Sequence, residues 1–219
     1  MKSALLLGAS GLTGQHCLHG LLNNSNYAKV IVLVRQKLSL THPKLSQHVV
    51  DFCALPNLVK YFHVDDVFCC IGTTLKKAKT KAKFYAVDYQ LIVDIATLAL
   101  QAKVKQFAIV SAAGVTETSF NYYSATKGKL ENTLKQMGFE RLIIMKPSLL
   151  LGQRDEFRLL ERLAQRLAPV FRWLCIGRFK KFAPTNSQDV AMAMINVANN
   201  LQLNDAIIVC ENTQIDAFK

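Results

Sequence analysis

The residues from Ser3 to Gly14 constrain this chain more than any others. Ala4, Leu5, Leu6 and Leu7 form a continuous apolar segment, and three glycines follow at intervals of three in Gly8-Ala9-Ser10-Gly11-Leu12-Thr13-Gly14. An apolar run without polar alternation suits a strand buried on both faces of a parallel sheet. After Gly14, Cys17, Leu18, Leu21 and Leu22 take up helical spacing. Strand, glycine-rich turn and helix is the context in which such glycines bind a dinucleotide. Gly8 permits the tight turn, Gly11 lets the backbone approach a pyrophosphate, and Gly14 lets helix and strand pack closely. The free N–H groups of the new helix face the phosphates, so Gly8, Ser10, Gly11, Leu12, Thr13 and Gly14 are the expected phosphate-binding residues.

The rest of the chain repeats this strand–helix rhythm. Lys29–Val34, Gln47–Asp51, Asp66–Ile71, Gln106–Ser111 and Leu142–Lys146 read as further strands, the last stopped by Pro147. Helices are expected over Ala82–Ala102, where Phe84, Val87, Leu91, Ile95 and Leu98 share a face, and over Tyr122–Met137, ended by Gly138. The alternation predicts an α/β fold, a Rossmann-like doubly wound parallel sheet with helices on both faces. Beyond Ser148 the rhythm changes. An amphipathic helix over Arg154–Ala168, an aromatic and basic stretch over Phe171–Phe182, a helix over Asp189–Asn199 and a strand over Ala206–Cys210 are expected. A single domain is read, with residues 1–148 the cofactor-binding core and 149–219 a small C-terminal substrate lobe packed on it.

Composition narrows the class. The 219 residues are half hydrophobic, enough for a full core, yet no apolar run reaches the roughly 18 residues of a membrane span. The glycine turn interrupts any signal-peptide core after Leu7, so the chain reads as cytoplasmic. The six cysteines, at 17, 53, 69, 70, 175 and 210, show neither metal-ligand spacing nor a disulfide framework and read as free thiols, with no metal site. The net charge of +12 is compatible with nucleic acid, an acidic membrane surface, anionic ligands or simply a solvated basic surface, the last being the better reading for an enzyme. No nucleic-acid motif accompanies it, and the arginines at 154, 158, 162 and 166 lack the interleaved aromatics that single strands stack on. The lysines at 76, 77, 79, 81 and 83 could draw an anionic substrate or cofactor phosphates, or form an ordinary solvated loop.

The residues at the strand ends carry the chemistry. A fold of this kind that prefers NAD commonly ends its second strand in an acid for the ribose 2′-hydroxyl. Here the strand runs into Arg35 and Lys37 instead. A guanidinium can meet a 2′-phosphate in bidentate geometry, so the expected cofactor is NADP(H). Asp51 and Phe52 at the third strand end are candidates for the adenine amino group and ring face. Ile71, Gly72 and Thr73 are candidates for close cofactor passage. Ser111 stands at the end of the fifth strand, and Tyr123 and Lys127 share one helix face a turn apart. An ammonium beside a phenol favours the phenolate. Such a tyrosine can exchange a proton with a carbonyl oxygen that a serine hydroxyl also bonds, and Lys127 can reach the nicotinamide ribose as well. Tyr122 has Thr126 four residues on, which favours Tyr123. The expected catalytic set is Ser111, Tyr123 and Lys127.

With Gly-Ala-Ser-Gly-Leu-Thr-Gly at 8–14, Val-Val-Asp-Phe at 49–52, Cys-Cys-Ile-Gly-Thr-Thr at 69–74, Tyr-Ser-Ala-Thr-Lys at 123–127 and Lys-Pro-Ser at 146–148, the chain resembles the short-chain dehydrogenase/reductase superfamily. The resemblance is to its atypical, short-lobed branch, which includes the Tat-interacting protein and bacterial relatives. It implies a Rossmann fold, NADPH across the strand ends, the Ser111, Tyr123 and Lys127 set, and Pro147 against the nicotinamide. Two positions depart from the pattern. Ala112 stands where a second serine often follows, and Asp88 where many relatives place the asparagine of a proton relay. The function expected is an NADPH-dependent oxidoreductase acting on a small carbonyl-type substrate. The alternative is an NADPH-responsive regulatory protein with a protein partner and little turnover.

Overall fold

Alternation along the strands decides which side chains meet. The computed structural model describes residues 1–151 and 183–219. In β1 (Lys2–Leu7), Ala4 and Leu6 face one layer while Leu5 and Leu7 face the other, and all four are fully buried. The same period of two divides β2 (Tyr27–Val34), β4 (Asp66–Cys69), β5 (Gln106–Val110) and β6 (Arg141–Lys146) between two cores. Apolar residues on both faces require cover on both faces. One side is covered by α1 (Leu12–Asn23), α6 (Ser187–Asn199) and α7 (Asn212–Phe218), the other by α4 (Leu91–Gln101) and α5 (Tyr122–Gln136).

With β3 (Leu45–Val49) and β9 (Ile207–Glu211) the sheet has seven strands in the order β3-β2-β1-β4-β5-β6-β9, every neighbouring pair parallel. The two-residue strands β7 (Leu150–Leu151) and β8 (Thr185–Asn186) pair apart from it. The chain runs outward from β1 in one direction, then returns to begin β4 on β1's other side. The crevice above the carboxyl ends of β1 and β4 is therefore the switch point at which such sheets bind ligands.

Most expected elements are present, with shifted bounds. The third strand ends at Val49 rather than Asp51, because the Asp51 carboxylate accepts the Cys53 N–H at 2.9 Å and turns the chain. The helix expected over Ala82–Ala102 comprises α3 (Lys81–Tyr85), a π-helical segment Ala86–Gln90 and α4; before it, α2 (Leu75–Ala78) ends at Lys79, whose φ of 65° is left-handed. The helix and strand expected near the end of the chain belong to the layers of the sheet itself: α6 packs with α1 in one core, and β9 pairs with β6. The expected Arg154–Ala168 helix and the Phe171–Phe182 stretch lie outside the described residues.

A buried polar hub at the opposite, amino-terminal edge joins this C-terminal helix to the sheet. Asp66, 1% exposed, accepts from Tyr27 Oη at 2.6 Å, Gln106 Nε2 at 2.9 Å and Lys2 Nζ at 3.1 Å. Lys2 and Gln106 also donate to the Ala198 carbonyl, and Asn199 donates to Tyr27 Oη. Burial and the adjacent Asp66 carboxylate hold the Tyr27 phenol far above its ordinary pKa, so it stays a donor. Asp66→Ala is expected to cost about 3 kcal/mol in urea unfolding, since buried donors lose their acceptor. Dinucleotide affinity should remain unchanged, because the hub lies across the sheet from the switch point. A loss below about 0.5 kcal/mol, the level of an ordinary surface change, would contradict the role given to the hub.

Candidate dinucleotide and proton-transfer site

The turn after β1 is as tight as its glycines require. Gly8 has φ 80°, and a Cβ there would lie 2.6 Å from the Cys70 carbonyl carbon. A Cβ on Gly14 would meet the Gly8 carbonyl oxygen at 2.0 Å, inside any contact distance. The first turn of α1 thus lies directly against the end of β1. Gly11 is its N-cap and offers no side-chain hydrogen bond, and no acidic residue stands in the first turn. The helix N-terminus keeps unsatisfied N–H groups and a positive dipole end at the switch point. Ser10 is exposed, Leu12 half-buried and Thr13 buried. The residues present fit a dinucleotide pyrophosphate.

Arg35 and Lys37 follow β2 with exposed side chains, and neither is bonded or ion-paired to another described residue. Asp51 keeps one carboxylate oxygen for a ligand while the other holds its own turn. Phe52 packs at the margin of the core beneath. Ile71 is half-buried and Gly72 exposed, and the Thr73 N–H donates to Asp88 Oδ2 at 2.8 Å.

Asp88 and Lys127 form the central ion pair. Both are buried, at 1% and 4% exposure, with Asp88 Oδ1 2.9 Å from Lys127 Nζ. Asp88 rides on the π-helical segment, a distortion frequent at functional sites. Burial alone would push the Lys127 ammonium to release its proton. The charges of Asp88 and then Tyr123 outweigh it and hold the pKa above the ordinary lysine value. Tyr123 lies one turn earlier, its ring 5.6 Å from that of Phe84, and Tyr122 is turned instead to the Lys81 carbonyl at 3.2 Å. Lys127 Nζ lies beside Gly72, close to where a Cβ would stand. The pair therefore joins the end of β4 to the tyrosine face of α5.

Ser111 has a partner that sequence spacing does not identify. Its hydroxyl is buried and donates to Glu131 Oε1 at 2.5 Å, two turns beyond Tyr123 on α5, and does not hydrogen-bond to Tyr123. The reason is electrostatic: Glu131 is 3% exposed, and a buried carboxylate takes the donors within reach. Lys146 lies 3.6 Å from Glu131 Oε2 and 3.2 Å from Glu211, so Glu131 ties α5 to the ends of β5, β6 and β9. Pro147, the expected nicotinamide neighbour, is buried at the end of β6, and its carbonyl accepts the Ala113 N–H at 2.8 Å. Sequence reasoning missed Glu131, although it continues the Tyr123, Lys127 spacing and adjoins the buried Leu130.

The cysteines at 17, 53, 69, 70 and 210 are free, and no cluster of metal-ligating side chains occurs among the described residues. Burial raises the thiol of Cys69 to about 12.

Removing one partner of the buried pair leaves the other uncompensated, so Asp88→Ala should cost about 3–5 kcal/mol. Asp88→Leu combined with Lys127→Met should recover much of that loss, as a double-mutant cycle would record. Because the folded Lys127 value is raised, its contribution is complete below the unfolded lysine pKa of about 10.4. It is lost as pH climbs through the higher folded value. On the alkaline side, the stability gap between wild type and the double variant should therefore change only above about pH 10. A change centred near neutrality would contradict the assignment.

Residues 8–169 match the family model described as NAD(P)H-binding. Protein HTATIP2 of Rattus norvegicus is 36% identical over 169 residues, covering 75% of this chain and 69% of the relative. Protein fmp52-1, mitochondrial, of Aspergillus terreus is 32% identical over 179 residues, covering 77% and 75%. Among solved structures, MoeE5 in complex with UDP-glucose and NAD is similar with a TM-score of 0.71 at 17% identity, covering 95% of this chain and 76% of that one. Helicobacter pylori ADP-L-glycero-D-manno-heptose-6-epimerase gives 0.69 at 17%, covering 99% and 80%. At these identities the structural likeness is one of fold. The chain belongs to the NAD(P)H-binding family that this family model describes, with protein HTATIP2 among its relatives.

Proposed function

We propose that the protein is an NADPH-dependent reductase of a small carbonyl compound, with Tyr123 as proton donor and Lys127 as the cation that assists it. The observation that carries this reading is the buried Lys127 ammonium, paired with Asp88 at 2.9 Å between Gly72 and the tyrosine face of α5. When bound, NADPH supplies a hydride to the carbonyl carbon. Tyr123 gives its phenolic proton to the carbonyl oxygen, and Lys127 stabilises the phenolate left behind. Asp88 keeps the lysine charged and fixed. Gly8 to Gly14 would hold the pyrophosphate, Arg35 with Lys37 a 2′-phosphate, and Lys127 the nicotinamide ribose. Ser111 acts at one remove, holding Glu131 and so the seat of α5.

Tyr123→Phe is expected to lower kcat about 10²–10⁴-fold in NADPH oxidation against a carbonyl panel, with NADPH affinity retained. Turnover surviving undiminished would remove Tyr123 from the chemistry. In binding titrations NADPH should exceed NADH, and Arg35→Ala should weaken NADPH by about tenfold or more, the worth of a lost charge-assisted hydrogen bond. Equal affinities in the wild type would overturn the NADP(H) assignment.

The Ser111–Glu131 bond also favours a second reading, an NADPH-responsive binding protein with little turnover, because it occupies the hydroxyl proton that would otherwise be given to a carbonyl oxygen. That reading expects NADPH binding without carbonyl reduction, and indifference to Tyr123→Phe.

A further inference from the structure

The segment between β4 and the π-helical turn carries a concentration of charge that the proton-transfer site does not use. No carboxylate occurs between Asp66 and Asp88, whereas Lys77, Lys79, Lys81 and Lys83 fall within seven residues. All four side chains are exposed, and none is ion-paired to a described residue. The nearby carboxylates do not cancel them. Asp88 is buried and matched by Lys127, and Glu117 accepts from Asn132 at 2.8 Å.

This segment is anchored beside the catalytic tyrosine. The Lys81 carbonyl accepts from Tyr122 Oη, and Lys81 Nζ sits 5.1 Å from the centre of the Tyr122 ring. Phe84 packs its ring against both Tyr122 and Tyr123. The lysines thus form a cationic rim on the side of the switch point occupied by β4 and α5. Arg35 and Lys37 lie on the other side, after β2. Two basic groups on opposite sides of the pyrophosphate-binding turn suit two different anions. A dinucleotide places its 2′-phosphate at the β2 side, so the anion for the β4 side belongs to the second reactant.

We propose that this lysine rim is the anion subsite for the substrate, so that the carbonyl compound reduced at Tyr123 carries a carboxylate or phosphate group. The inference rests on the reductase reading and adds the substrate class to it. A rim of like charge at the mouth of a cleft raises the local concentration and encounter rate of an oppositely charged reactant. Its contribution falls with salt as the Debye length shrinks to about 8 Å at physiological ionic strength.

The test uses matched pairs with the NADPH-loaded protein: benzaldehyde against para-carboxybenzaldehyde, and glyceraldehyde against glyceraldehyde phosphate. The charged member of at least one pair should show a kcat/KM about tenfold or more above its neutral partner at low salt. The pair that shows it separates carboxylate from phosphate. The advantage should shrink with added salt. In the combined Lys77→Gln, Lys79→Gln, Lys81→Gln, Lys83→Gln variant it should vanish through KM, with kcat on neutral aldehydes and NADPH affinity unchanged. Equal kcat/KM within both pairs would overturn the subsite. So would a matching loss of NADPH affinity in the variant, which would assign the lysines to the cofactor phosphates. Lysine-dependent sedimentation with phosphatidylserine vesicles, without any preference among aldehydes, would assign them to a membrane surface instead. If no aldehyde is reduced, the reductase reading fails, and the subsite is read from quenching of bound-NADPH fluorescence by para-carboxybenzaldehyde. Lysine-dependent quenching supports the subsite, and its absence overturns it.

Discussion

Everything at the carboxyl edge of the sheet depends on how closely the first turn of α1 lies against the end of β1. The Gly8 carbonyl occupies the space that a side chain at Gly14 would need, and the end of β4 at Cys70 closes over Gly8. A methyl group at Gly14 would force strand and helix apart, and one at Gly8 would push the turn off the backbone at Cys70 and Ile71. The contact directs the uncapped N–H groups of α1 into the crevice between β1 and β4. On the proposed reading it thus sets the pyrophosphate position, and with it which strand ends would meet the two halves of a dinucleotide.

The second constraint is helix α5. Tyr123, Lys127 and Glu131 recur at four-residue spacing, and each meets a different part of the molecule. Tyr123 meets Phe84, Lys127 meets Asp88 on the π-helical segment, and Glu131 meets Ser111 and Lys146 at the ends of β5 and β6. Gly128 lets the helix touch the loop at Thr116 and Glu117, where a Cβ would fall within 2.3 Å of backbone atoms. Two buried carboxylates with buried donors cost desolvation that hydrophobic replacements would avoid. What they provide is a fixed rotation and height for the helix that carries the tyrosine.

The layered fold was legible because buried parallel strands are written as unbroken apolar runs, and Leu5–Leu7, Val30–Val34 and Ile143–Met145 are such runs. The glycine turn was legible because close backbone approach leaves few residue choices. Segment ends were less so: the Asp51 side chain turns the chain two residues early, and the π-helical segment Ala86–Gln90 interrupts what apolar spacing reads as one α-helix. The partners of buried charges could not be read at all, since Asp88 and Lys127, or Ser111 and Glu131, are joined only by the packing of distant segments. Ser111 stands at the strand end where sequence spacing puts it, but its hydroxyl is committed to the carboxylate that the fold buries beside it.

On the proposed reading a reduced nicotinamide lies above the ends of β4 and β5, with its ribose on Lys127 and Tyr123 open to the substrate. The most direct measurement is a crystal structure of the protein grown with NADPH. Such a crystal should show the 2′-phosphate against Arg35, the pyrophosphate at the N-terminus of α1, and a ribose hydroxyl bonded to Lys127 without loss of the Asp88 pair. A nicotinamide half held away from Lys127 and Tyr123, with the adenine half in place, would contradict it.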